Sequence, residues 1–188
     1  MRRALWVFLA VLIIIPIVSS AQYDEGNTSK IIIRGGVHRP SGSAMKYEAA
    51  LWPEIGIDYI LRYDKAQKPK EGVSAVYTSV SKNLMDAKLM GLEYMRYWSK
   101  SPIPDKGVYF GAGAGVFSAK AKLDVNFDRW VHQPEVIKSG TKLGLSVLAG
   151  YHLGEFWLVE IRYTKLRALA EDVDPSGLSL FVGAKRIL

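Results

Sequence analysis

The stretch from Lys142 to Leu166, KLGLSVLAGYHLGEFWLVEIRYTKL, constrains the fold more than any other, because it is two runs of strict alternation joined by a short turn. Leu143, Leu145, Val147, Ala149 and Tyr151 share one side of the first run, with Lys142, Gly144, Ser146, Gly150 and His152 on the other. In the second run Trp157, Val159, Ile161 and Tyr163 oppose Leu158, Glu160, Arg162 and Thr164. Successive side chains of a strand point to opposite faces, so period two over this length predicts β-structure. The turn His152-Leu153-Gly154-Glu155 predicts a hairpin. Each run has about ten residues, the length a tilted strand needs to cross a bilayer, whereas strands in soluble sandwiches have about five or six. Charges on one face and bulky aromatics at both ends of the other fit membrane-barrel strands, apolar outward and polar inward.

The start of the chain agrees with export. Arg2 and Arg3 precede an apolar run from Ala4 to Val18, then Ser19, Ser20 and Ala21. This pattern predicts a cleavable signal peptide over 1–21, with a cut after Ala21. The apolar run is shorter than the roughly twenty residues a spanning helix needs. Cleavage leaves residues 22–188 as one domain and, by removing Arg2 and Arg3, lowers the formal charge from +7 to +5. A mildly basic exported chain attracts anionic lipid headgroups, while the absence of a concentrated basic stripe argues against nucleic acid. With no cysteine in the chain, no disulfide can hold it together. Either a core or the bilayer must do so, and only a closed barrel lets strands satisfy their backbone groups in lipid.

Six further runs carry the same signal. They cover Lys30 to His38, Leu51 to Tyr63, Val73 to Lys82, Ala87 to Trp98, Val108 to Lys120 and Leu178 to Leu188. Arg39 to Ala49 reads as a loop, Asp64 to Gly72 as a turn, and Ala121 to Thr141, with Trp130 and His132, as the longest connection. In the fifth strand Tyr109, Gly111, Gly113, Gly115 and Phe117 share a face. Glycines turned inward make room for large side chains from across a narrow lumen. A GxGxG run within a strand pattern is not a nucleotide-binding turn.

The fold class that follows is all-β: an eight-stranded antiparallel up-and-down transmembrane β-barrel preceded by a signal peptide. The chain resembles the small eight-stranded outer-membrane barrels of the OmpA, OmpX and OmpW type. The resemblance is carried by the exported N-terminus, Tyr109-x-Gly111-x-Gly113-x-Gly115, Gly150-Tyr151, Glu160-x-Arg162-Tyr163 and a last strand built around Gly183. The chain ends Arg186-Ile187-Leu188, where such barrels usually end in an aromatic residue. The resemblance implies residence in the outer membrane of a Gram-negative-type bacterium, as a monomer.

The expected inward charges are Arg34, Glu54, Asp58, Arg62, Glu93, Lys142, Glu160, Arg162 and Lys185. An eight-stranded barrel is only wide enough to be filled by side chains, and isolated buried charges are costly, so these are expected to pair into a structural plug. Tyr59, Tyr63, Tyr94, Trp98, Tyr151, Trp157 and Tyr163 are expected to form aromatic girdles at the membrane interfaces. No histidine spacing suits a metal, and no catalytic or cofactor-binding residues are expected. Ser146 and Glu160 approach His152 across the hairpin, but their offsets argue against a triad. The expected role is non-enzymatic, structural or surface-interacting, with outer-membrane lipid as partner and lipopolysaccharide or extracellular ligands met through the loops. A narrow passive path for small apolar solutes and a secreted soluble lipocalin-like carrier are the alternatives.

Overall fold

The computed structural model describes residues 31–63, 68–82, 85–99, 106–123, 136–154, 156–169 and 173–186. The expected signal peptide, Trp130 and His132 lie outside them. Among the described residues there are strands β1 (Ile31–Pro40), β2 (Trp52–Tyr63), β3 (Pro69–Lys82), β4 (Met85–Ser99), β5 (Lys106–Leu123), β6 (Val136–Leu153), β7 (Trp157–Leu166) and β8 (Gly177–Arg186), with one helix, α1 (Ser43–Glu48), between β1 and β2. The strands form a closed barrel in sequence order, every neighbouring pair antiparallel, with β8 returning to β1. Closure leaves no free edge along the tube.

The register fixes the tilt. Passing sideways from Pro40 through the paired residues Gly177, Thr164, Ser146, Gly113, Met95 and Gly72 arrives at Ile60, next to Tyr59, the partner of Ile31. One circuit therefore descends the whole of β1. Such a stagger in an eight-stranded barrel corresponds to a strand tilt of about 40°. A ten-residue strand then rises about 25 Å along the barrel axis, the height of the apolar band on membrane barrels. We call the end where β1 finishes the upper end.

The alternation sorts the two faces as the pattern predicts. The outward set carries a large exposed apolar residue on every strand: Ile33, Ile55, Tyr77, Tyr94, Phe110, Leu145, Ile161 and Leu180. The inward set holds the buried polar residues and three apolar clusters. Toward the lower end Ile32, Ile60, Met95, Tyr97, Tyr109, Leu148 and Leu158 pack together. Val76, Leu89, Phe117, Ala119 and Leu166 form a second group. At the upper mouth Met45 and Ala49 of the α1 region and Trp52 pack on Met85, Ala87, Ala121 and Val173.

The inward glycines work somewhat differently from expectation. An added Cβ would lie 2.3 Å from the Phe117 ring at Gly91, 2.1 Å from Met95 Sδ at Gly113 and 2.3 Å from the Tyr109 ring at Gly150. In each case the large residue is the glycine's own cross-strand partner. A narrow lumen has no height for a bulky side chain standing upright, so it lies sideways over its neighbour.

Three expectations are corrected. The segment Arg39 to Ala49 is not wholly loop, because it contains α1. The longest connection is shorter than Ala121 to Thr141, since β5 and β6 stay paired up to Leu123 and Val136. The turn before β3 ends earlier, with pairing reaching Pro69 opposite Tyr63.

Candidate functional site

Arg34 lies midway along β1 with a glycine beside it on each neighbouring strand, Gly56 of β2 and Gly183 of β8. A Cβ at Gly183 would stand 2.8 Å from Arg34 Cγ, and one at Gly56 would stand 3.0 Å from its guanidinium. The pairing of β1 with β2 and β8 thus clears a bed in which a large cation lies flat. From there Arg34 donates to Asp58 Oδ1 at 2.7 Å, to Ser74 Oγ at 2.9 Å and to Glu160 Oε1.

The second cation, Arg162, is held by the same groups from the opposite wall. It donates through Nε to Glu160 Oε1 at 3.1 Å, through Nη1 to Ser74 Oγ at 3.0 Å, and to Glu93 Oε1. Glu160 also accepts from the Tyr109 hydroxyl at 2.9 Å. The Phe181 ring lies 4.7 Å from the Arg34 guanidinium carbon and 5.9 Å from that of Arg162, a cation–π arrangement favoured in a desolvated site. Asp58, Glu93, Glu160 and both arginines are at most 2 % exposed at their side chains. Fork-shaped guanidinium groups suit this sharing, because each can reach several acceptors at once.

Above this network is a second buried polar group; the alternation places His38, Glu54 and Ser179 inward, but it does not foresee that Glu54 leaves the charge network to meet the other two. His38 Nε2 donates to the Pro175 carbonyl at 3.2 Å, which leaves Nδ1 to accept from the Ser179 hydroxyl at 3.0 Å. Glu54 Oε2 is 3.9 Å from the same Nδ1. Serine, histidine and carboxylate are the residue types of a hydrolase, but here the carboxylate shares the nitrogen facing the serine instead of orienting the opposite one. All three residues are buried, Ser179 at 1 % exposure. Only closure of β8 on β1 brings Ser179 beside His38, and nothing local in the sequence signals it.

The pair weighed on the hairpin separates. Ser146 bonds Thr164 at 3.0 Å, while His152 stacks on Tyr109 with ring centres 4.5 Å apart. Beneath the charge network a cavity of about 20 Å³ is lined by Ile32, Asp58, Tyr97, Tyr109, His152 and Glu160 among others. That is room for one or two waters, not for a solute.

The remaining expected inward charges lie elsewhere. Arg62 is corrected: its side chain is 61 % exposed and 3.8 Å from Glu71, because register shifts at Ile60, Arg62 and Tyr63 turn the end of β2 out of phase. The same shifts pack Tyr63 against the lower interior cluster. Lys142 and Lys185 share the inward face of their strands but are half-exposed near the ends. Of the other aromatics in the expected girdles, Tyr59 is half-buried, and Tyr94, Trp98, Tyr151, Trp157 and Tyr163 are exposed on the outward face.

At the upper mouth the β7–β8 connection is tied down by Ser176, whose Oγ bonds both backbone groups of Leu166. Its carbonyl accepts from Ser41 N–H at 2.6 Å. Partial burial would raise the Asp174 carboxyl, but hydrogen bonds from Ser176 and Lys165 outweigh it and hold that carboxyl below its ordinary value.

No family model and no curated protein matches the chain. Solved structures do. The N-terminal β-barrel domain of Pseudomonas aeruginosa OprF is 13% identical with a TM-score of 0.61, over 86% of this chain and 100% of that one. Ail, the attachment invasion locus protein of Yersinia pestis, is 14% identical with a TM-score of 0.53, over 82% and 95%. Neisserial surface protein A is 14% identical with a TM-score of 0.50, over 84% and 96%. A closed tube of eight antiparallel strands, a lumen filled by paired ions and likeness along almost the whole of these chains together give this protein the fold of the small eight-stranded outer-membrane barrels.

Proposed function

We propose that the chain is an integral outer-membrane protein, exported by its N-terminal segment, whose barrel is a sealed, non-enzymatic scaffold that presents its upper loops to the exterior. The observation that carries this is the inversion of the two faces. Large apolar side chains are exposed on all eight strands, among them Leu145 at 65 % and Leu180 at 57 %, while Arg34, Arg162, Glu93 and Glu160 are buried. In water such a continuous apolar exterior would aggregate; in lipid it is the stable arrangement. The exposed outward aromatics fit interface girdles. The same inversion argues against a soluble carrier, which would need a polar exterior and an apolar cavity.

The plug supports a structural role for the lumen in place of a path. Ions held in mutual contact from opposite walls fill the middle of the lumen above the small cavity, and Met45 and Ala49 of the α1 region pack across the mouth on Trp52, Met85 and Ala121. Two measurements test the reading. Extraction only with detergent, together with a heat-modifiable gel shift and β-rich circular dichroism, is expected; release in a soluble fraction would overturn it. In planar bilayers the refolded protein is expected to give no single-channel steps, and reproducible steps would replace the sealed scaffold by the narrow path.

A further inference from the structure

Upward along the outward face of β4 and β5, the cross-strand rungs change character in order. Trp98 pairs with Phe110, Arg96 with Ala112 just above that lower aromatic rung, Tyr94 with Ala114 and Leu92 with Val116; then come Met90 with Ser118, Lys88 with Lys120 and Asp86 with Lys122. β6 widens the same rungs, placing Leu143 beside Val116, Thr141 beside Ser118 and Ser139 beside Lys120. A membrane boundary accounts for the change from apolar to polar. It does not account for Lys88 facing Lys120, because like charges directly opposite across a sheet destabilise the pair.

The rung above, by contrast, is balanced, an aspartate opposite a lysine. Lys88 and Lys120 are both exposed, and neither belongs to a salt bridge among the described residues. Their depth is also specific. From Trp98 to Lys88 the strand runs roughly 33 Å, or roughly 25 Å along the barrel axis at a tilt of about 40°. With Trp98 at the lower interface, the two lysines stand at headgroup level on the upper one. Two rungs beneath them, below Ser118 and Thr141, Val116 and Leu143 offer an apolar shelf, 49 % and 80 % exposed.

We propose that the outward face of β4, β5 and β6 is a binding site for a phosphorylated lipid of the surrounding outer leaflet. Its phosphate is held between the ammonium groups of Lys88 and Lys120, with the hydroxyls of Ser118, Ser139 and Thr141 as further donors and the acyl chains on Val116 and Leu143. A phosphate monoester carries nearly two negative charges, which matches two facing cations; a zwitterionic headgroup does not. The site rests on the reading of the chain as an outer-membrane barrel.

Native mass spectrometry of the refolded protein in detergent tests it, with diphosphorylated lipid A, its dephosphorylated form and phosphatidylcholine as probes. Heat-modifiable gel shifts first show that each sample is a folded barrel. The unaltered protein should retain one diphosphorylated lipid A, and K88S/K120S should bind it at least about tenfold more weakly. K88R/K120R should restore binding, while K46S/K82S, which removes two exposed lysines elsewhere, should stay within about twofold of the unaltered protein. Equal binding by K88S/K120S, equal binding of the dephosphorylated lipid, or displacement of the lipid by millimolar inorganic phosphate would overturn the proposal while leaving the barrel intact. A chain that is soluble without detergent and shows no heat-modifiable form would instead overturn the membrane reading on which the site rests.

Discussion

The middle of the lumen and its upper mouth are both filled by buried side chains, but the first is filled by ions and the second by hydrocarbon. The middle draws on Arg34 of β1, Asp58 of β2, Ser74 of β3, Glu93 of β4, Tyr109 of β5, and Glu160 and Arg162 of β7. The mouth draws on Trp52, Met45, Met85, Ala87, Ala121 and Val173. Hydrocarbon packing tolerates a shifted neighbour, because dispersion is not directional. Hydrogen-bonded ions do not, since a misplaced partner leaves a charge unpaired in a dry tube. The middle is therefore suited to pin one register around the circumference, and the mouth to close over whatever the register has fixed.

The largest expected effect breaks the ionic side. Arg162→Leu takes from Glu93 its buried arginine partner and leaves Glu160 with Arg34, and a broken buried pair costs about 3–5 kcal/mol. It should appear as a lower unfolding midpoint of the refolded protein in denaturant. Combining Arg162→Met with Glu93→Met sharpens the point, since removing both partners is expected to cost less than the sum of the two single changes. A double-mutant cycle measures this coupling, and strict additivity would show that the ions act independently.

On the hydrocarbon side, Trp52→Ala removes a fully buried ring that also donates to the Ala49 carbonyl at 2.9 Å. About 3 kcal/mol is the usual scale for such a truncation, but here the loss should be local. Protease cleavage should rise within residues 41–51 and 167–176, while the global midpoint moves less than in Arg162→Leu. Gly91→Ala is expected to be milder, about 1–3 kcal/mol from overpacking against the Phe117 ring, and to be relieved by Phe117→Leu.

The smallest effect is electrostatic and confined to the mouth. Asp174 has its carboxyl held below the ordinary value, so its ionised form stabilises the folded loop. That contribution is present above about pH 4, the unfolded value, and is lost as pH falls through the lower folded value. Amide exchange at Ser41 and Gly42, whose N–H groups donate to Ser176 and Asp174, should quicken over that window once the intrinsic pH dependence is divided out. Asp174→Asn should flatten the response.

Alternation made the strands and their inside and outside faces legible, down to Arg34, Asp58, Glu93, Glu160 and Arg162 as inward charges. Which way a side chain points in a strand depends only on its position in that strand, so single-strand pattern was sufficient. Where pattern failed, the cause was an interaction between strands or a competing local structure. Arg62 left the inward set because the β2–β3 register shifts beneath it, and a bulge in the pairing is invisible in one strand alone. The α1 turn lay hidden in a stretch whose Pro40, Ser41 and Gly42 read as loop. The Lys88–Lys120 rung needed the register of two strands before its like charges could be seen to face each other.

Sequence by itself thus determined the number of strands and the facial chemistry of each, both properties of the chain within a few residues. Partnership across the lumen was decided only by the tertiary structure. Arg34 and Glu160 are 126 positions apart, and they meet because the circuit of eight staggered strands closes with one particular shear. A different shear would keep every side chain on its face and change every ion's partner.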